Sequence, residues 1–226
     1  MQLKIKPADN FLGDVSHELR TPLTIIRGYI DLLEICGAKD PELFKEAVSS
    51  IKKSAENMQS LVEGLLFLAR ADQGRQPLTK VPVDLAELLK KFVEAYPSPR
   101  VQISKLVPCQ ILADAEFLKK MFAAFLDNAL RYSPQDTVVK IELTKSDGVA
   151  TLKFIDKGVG IALEDRKKIF ERFYRTDKAR TKNCENENSV GLGLSVAKWI
   201  ADRHNIKISI KSKLGAGSTF ILKIPL

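Results

Sequence analysis

Apolar residues in the first third of the chain recur at spacings of three and four. Phe11, Val15, Leu19, Leu23, Ile26, Ile30 and Leu33 draw one stripe; Phe44, Val48, Ile51, Ala55, Met58, Val62, Leu65 and Leu66 draw a second. That period belongs to amphipathic helices with one face turned to a partner. Between the stripes lies Cys36-Gly37-Ala38-Lys39-Asp40-Pro41. Here glycine stops the first helix, and Asp40-Pro41 reads as an N-cap followed by proline at the first helical position. Two helices of roughly 27 and 31 residues, each about 40–45 Å long, therefore form an antiparallel hairpin.

Two such helices can cover only part of each other's stripes, which leaves apolar surface in water. Pairing two hairpins buries it, so the pattern predicts a homodimer built on a four-helix bundle.

The helical period ends at Gln73-Gly74-Arg75-Gln76-Pro77, which reads as a hinge or linker. Beyond it the chain alternates. Strands are expected at Val101–Leu106, Cys109–Ala113, Val138–Thr144, Val149–Ile155, Ile206–Lys211 and Ser218–Ile224, and helices at Leu85–Ala95, Ala115–Arg131 and Leu192–Arg203. Lys145-Ser146-Asp147-Gly148 is a hairpin turn. The fold class is thus α+β: a helical hairpin over residues 1–73, then an α/β sandwich over 74–226 with helices on one sheet face. The polar tract Thr176–Ser189 is expected to be a mobile loop.

Composition narrows the function. With 226 residues, 45% of them hydrophobic, the chain has enough material for two cores. No apolar run is long enough to span a bilayer, and nothing resembles a signal peptide. The three cysteines, Cys36, Cys109 and Cys184, are odd in number and far apart, which fits a reducing, cytoplasmic setting without a disulfide framework. The net charge of +8 is uneven: residues 1–72 hold 9 Lys/Arg against 11 Asp/Glu, whereas residues 73–226 hold 27 against 17. A basic second part suits a polyphosphate ligand or an acidic protein partner. Nucleic acid is set aside, because no recognition helix, zinc finger or aromatic RNA-binding motif is present.

The first candidate chemistry is Val15-Ser16-His17-Glu18-Leu19-Arg20-Thr21-Pro22-Leu23. With Val15 and Leu19 facing inward, the 100° helical step puts His17 on the outer face. An exposed imidazole beside a carboxylate is a candidate nucleophile, the acid holding the ring tautomer and taking its proton. Pro22 removes a backbone hydrogen bond and is expected to bend the helix.

Four further signals lie in the second part. Asp127-Asn128-Ala129-Leu130-Arg131-Tyr132-Ser133 offers an amide oxygen for a metal and a cation for phosphate. Asp156-Lys157-Gly158-Val159-Gly160 follows a strand, where a buried carboxylate can accept from an adenine amino group while glycines admit the base. Gly191-Leu192-Gly193-Leu194-Ser195 opens a helix whose free N–H groups form an anion site. Gly215-Ala216-Gly217-Ser218-Thr219 leads into the last strand and closes the pocket. Each alone is no more than a turn; their order after the His-Glu helix carries the weight.

From about Asn10 onward the chain resembles a sensor histidine kinase of two-component signalling. Phe11–Leu23 resembles the H box, Ala124–Ser133 the N box, Asp156–Gly160 the G1 box, Phe170–Arg175 the F box, Gly191–Ser195 the G2 box and Gly215–Thr219 the final glycine motif. The resemblance implies that His17 is the phosphoacceptor, Glu18 its acid–base partner, and Thr21 the residue positioning water for dephosphorylation of a response-regulator receiver domain. It further implies that Asn128 binds Mg²⁺, Arg131 touches phosphate and Tyr132 packs near ATP. Asp156 would read adenine beside Gly158 and Gly160, with Gly191, Leu192, Gly193, Leu194 and Thr219 completing the nucleotide site. Arg175 would contact the γ-phosphate, Phe170 and Phe173 would pack the base of a lid formed by Thr176–Ser189, and the chain would be the cytoplasmic part of a membrane receptor.

Two positions depart from the family pattern. Ala124 stands where the N box usually begins with asparagine, and where related ATP-hydrolysing enzymes carry a water-activating glutamate. Alanine binds no metal and activates no water, which argues against an ATPase and removes one polar group from the metal site. Ser189 replaces a common glycine. The alternative reading is therefore a nucleotide-weak kinase acting mainly as a docking scaffold and phosphatase. His204 and Trp199 are expected to be structural.

Overall fold

The computed structural model describes residues 8–36, 40–96, 98–176 and 191–226. The expectations for Ser189, Cys184 and nearly all of the lid tract lie outside those residues. The chain divides into two compact units between Phe67 and Leu68.

Helix α1 (Ala8–Cys36) and most of helix α2 (Pro41–Asp72) make the first unit. Asp40 caps α2 as expected: its Oδ1 accepts the N–H groups of Glu42 and Leu43, both at 3.1 Å. Helix α1 runs on through Pro22, so the missing N–H does not end it. The Tyr29 hydroxyl donates to Glu46 Oε1 at 3.1 Å and ties the two helices together.

The burial pattern differs from the large apolar stripes. Ala47, Ser54 and Leu61, spaced by seven, are buried on α2 together with Phe67 at the end of this unit, whereas Phe44, Val48, Val62, Leu23 and Ile30 remain exposed. The small residues Ala47 and Ser54 are thus among the buried positions, and the bulky stripe is left uncovered.

The second unit holds strand β1 (Val81–Asp84), helix α3 (Leu85–Ala95), strands β2 (Val101–Leu106) and β3 (Gln110–Ala113), and helix α4 (Ala115–Tyr132). Strands β4 (Val139–Ser146) and β5 (Val149–Ile155), the single turn α5 (Asp165–Lys168), helix α6 (Gly193–Arg203), and strands β6 (Lys207–Lys213) and β7 (Gly217–Pro225) follow. Five strands form one sheet in the order β2-β4-β5-β7-β6; β2 and β4 are parallel and every other pair is antiparallel. Strands β1 and β3 make a separate antiparallel ribbon.

The β4–β5 hairpin turns on Asp147-Gly148, both with positive φ, which matches a two-residue turn. Asp84 and Asp114 each accept two backbone N–H groups and cap α3 and α4.

Alternation puts Ile141, Leu143, Leu152, Phe154, Phe220 and Leu222 on one sheet face, all 0–1% exposed. Helix α4 lies on that face: Phe125 stacks on Phe154 with ring centroids 5.4 Å apart and meets Phe220 at 5.2 Å. Phe92 of α3 packs edge-on against Phe122 of α4 at 5.7 Å. Among the described residues of this unit, no helix packs on the other face. Arg172 holds Asp72, at the end of α2, through two parallel hydrogen bonds of 2.9 and 2.7 Å. Among the described residues, no helix is long and apolar enough to cross a membrane.

Candidate functional site

On α1, the His17 side chain is 77% exposed while Val15 and Leu19 are half-buried, so the imidazole stands on the open face. Its Nδ1 is 3.9 Å from Glu18 Oε1, too far for a direct hydrogen bond. One turn on, the exposed Thr21 hydroxyl donates to the His17 carbonyl at 3.4 Å.

The second unit gathers the other motifs at one end of its sheet. Asp156 follows β5 and is 7% exposed. Its Oδ1 accepts from Gly158 N–H at 2.8 Å and Ser218 N–H at 3.1 Å. Among the described residues Oδ2 receives no hydrogen bond, so one carboxylate oxygen is free for an incoming donor. Burial pushes the carboxyl above its ordinary range, against the pull of these two N–H groups.

Gly158 sits where a side chain has no room: a Cβ there would lie 2.5 Å from the Tyr132 carbonyl oxygen. That close approach, with Val159 N–H donating to Tyr132 O at 3.2 Å, seats the end of α4 against the loop after β5. Gly160 lies against the Lys213 carbonyl at the β6–β7 turn. Thr219 lies on the opposite strand face from Phe220, paired with Ile155 and Lys211. Ser218, not Thr219, is therefore the neighbour of Asp156. The signal was in the sequence: counting back by two from the core Phe220 reaches Ser218.

Helix α6 opens differently from α3 and α4. Its N-cap, Leu192, is buried and supplies no side-chain hydrogen bond, so the first N–H groups lack the capping carboxylate seen elsewhere. Gly193 is exposed at that end, and Leu194 is half-buried. A helix start of this kind attracts an anion. Gly191 accepts from Phe173 N–H at 3.0 Å and joins the Phe170–Arg175 segment to this end.

Cations converge here as well. Burial lowers the Arg131 guanidinium from its ordinary value, and the positive charge of Arg175 acts in the same direction, against Tyr132 and Asp127. The Arg175 Nε is buried without a hydrogen-bond partner among the described residues. Two arginines close enough to repel, one with an orphaned N–H, are suited to an anion between them. Beside them the Tyr96 hydroxyl donates to Asp127, and burial with that bond pushes the phenol well above its usual range.

Asn128 is half-buried on α4. Among the described residues no group of three His, Cys, Asp or Glu side chains gathers. A single amide oxygen fits a divalent cation that keeps waters and takes its remaining ligands from phosphate. Ala124 faces the start of α6: a Cβ on Gly193 would stand 3.7 Å from that of Ala124.

His204 plays a structural part. It is buried, with Nδ1 2.8 Å from the Ile200 carbonyl and Nε2 accepting from Asp114 N–H at 3.0 Å. Trp199 meets Phe117 edge-on at 5.9 Å and lies under Arg203. Buried Cys109 is a free thiol that burial pushes up, and it lies outside the site.

Two family models match the chain. "His Kinase A (phospho-acceptor) domain" covers residues 8–74, and "Histidine kinase-, DNA gyrase B-, and HSP90-like ATPase" covers residues 113–226. "Sensor histidine kinase YkoH" of Bacillus subtilis (strain 168) is 36% identical over 217 residues, 94% of this chain and 46% of the relative. The chain thus spans under half of that relative's length. Among solved structures, full-length ShkA in complex with AMPPNP is 28% identical with a TM-score of 0.65, covering 96% of this chain and 45% of that one. The histidine kinase ThkA in complex with response regulator protein TrrA shares the fold at a TM-score of 0.75 and 22% identity, covering 96% of this chain and 61% of that one.

Proposed function

The chain belongs to the sensor histidine kinases of two-component signalling, and on that premise we propose that it transfers the γ-phosphoryl group of ATP to His17. The observation that carries the proposal is the exposed His17 imidazole with the Glu18 carboxylate beside it. A ring nitrogen of His17 attacks the γ-phosphorus, the bond to the bridging oxygen breaks, and ADP departs. Glu18 takes the proton that the imidazole gives up.

On the second unit, Asp156 offers its free oxygen to the adenine amino group, and Gly158 keeps that approach open. The start of α6 from Gly191 to Leu194 receives phosphate on backbone N–H groups, with Arg131 and Arg175 as counter-charges. Tyr132 packs against the nucleotide, and Asn128 gives one ligand to Mg²⁺, which supplies charge neutralisation along the phosphates when bound. Charge neutralisation and alignment are the bulk of what such a transfer needs.

The phosphoryl group then passes from His17 to an aspartate of a receiver domain, and Thr21 orients water when the same surface removes it. The uncovered stripe of Leu23, Ile30, Phe44, Val48 and Val62 supports a homodimer built on a four-helix bundle.

Incubation with γ-labelled ATP tests the proposal. An acid-labile, base-stable label on the wild-type chain and none on His17→Gln is the expected result; equal labelling of both shows that the nucleophile is elsewhere. A second reading rests on Ala124: a kinase weak for nucleotide that acts mainly as scaffold and phosphatase. Tight Mg²⁺–ATP binding by the native chain disfavours it.

A further inference from the structure

The sheet face turned away from the helices is basic. Alternation and register put Lys105 of β2, Lys140 of β4, Lys153 of β5, Lys223 of β7, and Lys207, Lys211 and Lys213 of β6 on that face. Glu142 is the one carboxylate among the described positions there, 3.2 Å from Lys153. Seven lysines against one glutamate account for much of the positive surplus of the second unit.

Two structural explanations fall short. Lysine on an edge strand blocks edge-to-edge aggregation, and β6 is an edge; but Lys140, Lys153 and Lys223 lie on interior strands. Solubility alone is served better by mixed signs. Instead Lys207 and Lys223 are direct cross-strand partners, and like charges placed opposite each other destabilise a sheet. The fold tolerates that repulsion.

The chemistry of the face narrows its partner. Its outward positions hold no arginine and no aromatic ring; Thr151, Ile155, Ser209, Thr219 and Ile221 fill the gaps between lysines. Single-stranded nucleic acid is held on aromatic stacking platforms, and sheet-face RNA readers use them too. Acidic proteins are anchored by tyrosine, tryptophan and arginine in pockets. A lattice of mobile ammonium groups reads charge density without geometry. Strands lie about 4.8 Å apart, so the lysines of the adjacent strands β5, β7 and β6 form one contiguous patch on the same side of the sheet. An extended anionic surface matches them.

We infer that the bare face of the second unit, through Lys153, Lys207, Lys211 and Lys223, docks on an anionic lipid bilayer. The attraction is worth about fivefold in partitioning per lysine near the surface, and it is screened by salt.

Flotation of the full 226-residue chain with vesicles of phosphatidylcholine containing phosphatidylserine tests this. Wild type floats with anionic vesicles at about 0.1 M salt and not with pure phosphatidylcholine. The triple variant Lys207→Gln, Lys211→Gln, Lys223→Gln partitions at least about tenfold less. Replacing the same three by arginine restores binding, and removing Lys45, Lys52 and Lys90 instead leaves it intact. Tryptophan fluorescence melts show that each variant is folded. Wild type that does not float, a triple variant that floats equally, or a control that loses as much overturns the inference. So does binding of a single-stranded RNA homopolymer that the triple variant loses while vesicles are ignored, which assigns the face to nucleic acid.

Discussion

The Oδ1 atom of Asp156 accepts the backbone N–H of Ser218 at 3.1 Å, which locks the carboxylate to the start of β7 and leaves Oδ2 open. Asp156→Asn turns the open position into an amide that cannot reliably accept from adenine. The expected loss in ATP affinity is about 10- to 100-fold, from 1–3 kcal/mol for an unmet buried hydrogen bond. Ser218→Ala keeps the backbone N–H and loses only the hydroxyl contact to Ser212, so affinity stays within a few-fold. Isothermal titration with a non-hydrolysable ATP analogue separates the two variants.

This pair also marks how far the sequence was legible. Asp156 and its glycines stood out by composition, and β5 and α3 fell within the expected bounds. The backbone neighbour of Asp156 is Ser218, and Thr219 lies one step on and on the other strand face, because a one-residue step exchanges the two faces of a strand. Strand β1 escaped notice because Pro82 argues against a strand; it forms because its one partner is β3 and the edge tolerates proline. The turn α5 is too short to show a period. In the hairpin the bulky stripes mark the helices, whereas the burial of Ala47 and Ser54 is not legible, because small residues carry little hydrophobic signal.

Ala124→Asn restores an amide oxygen one turn before Asn128 and opposite Gly193. The expected result is Mg²⁺-dependent ATP binding tightened by about tenfold, the scale of one added charge-assisted contact, with little change in Mg²⁺-free binding. Titration with and without EDTA checks it. An unchanged Mg²⁺ dependence shows that the position does not reach the metal.

His204 is held neutral, its pKa lowered by burial and by Lys80, against the Ile200 hydrogen bond and Asp114. The unfolded chain therefore binds more protons than the folded one below about pH 6.5, the ordinary histidine value. The histidine's contribution is complete above that pH and is lost as pH falls towards the depressed folded value. His204→Gln flattens this acid-side decline while lowering stability at neutral pH. The sole tryptophan, Trp199 on the same helix, reports urea unfolding of this unit at pH 5 and pH 7.5.

Phe125→Ala removes a fully buried ring from between Phe154 and Phe220. A loss of about 3–5 kcal/mol is expected, enough to unfold a unit of ordinary stability. The Trp199 signal collapses while far-UV helicity from the hairpin persists.

Val48→Asp with Ile30→Asp charges the uncovered stripe without touching Ala47, Ser54 or Leu61. Sedimentation velocity is expected to show a dimer for wild type and a monomer for the double variant. A variant that remains dimeric places the interface elsewhere.

The seven-residue step from Ala47 to Ser54 to Leu61 has a mechanical corollary. Seven residues fall about 20° short of two full helical turns, so the seam drifts around α2 as it rises. To follow it, the two helices coil about one another with a left-handed sense. Tightening or relaxing that supercoil at one end then changes the azimuth of residues farther along the pair, which makes the hairpin a torsion rod with His17 as its pointer.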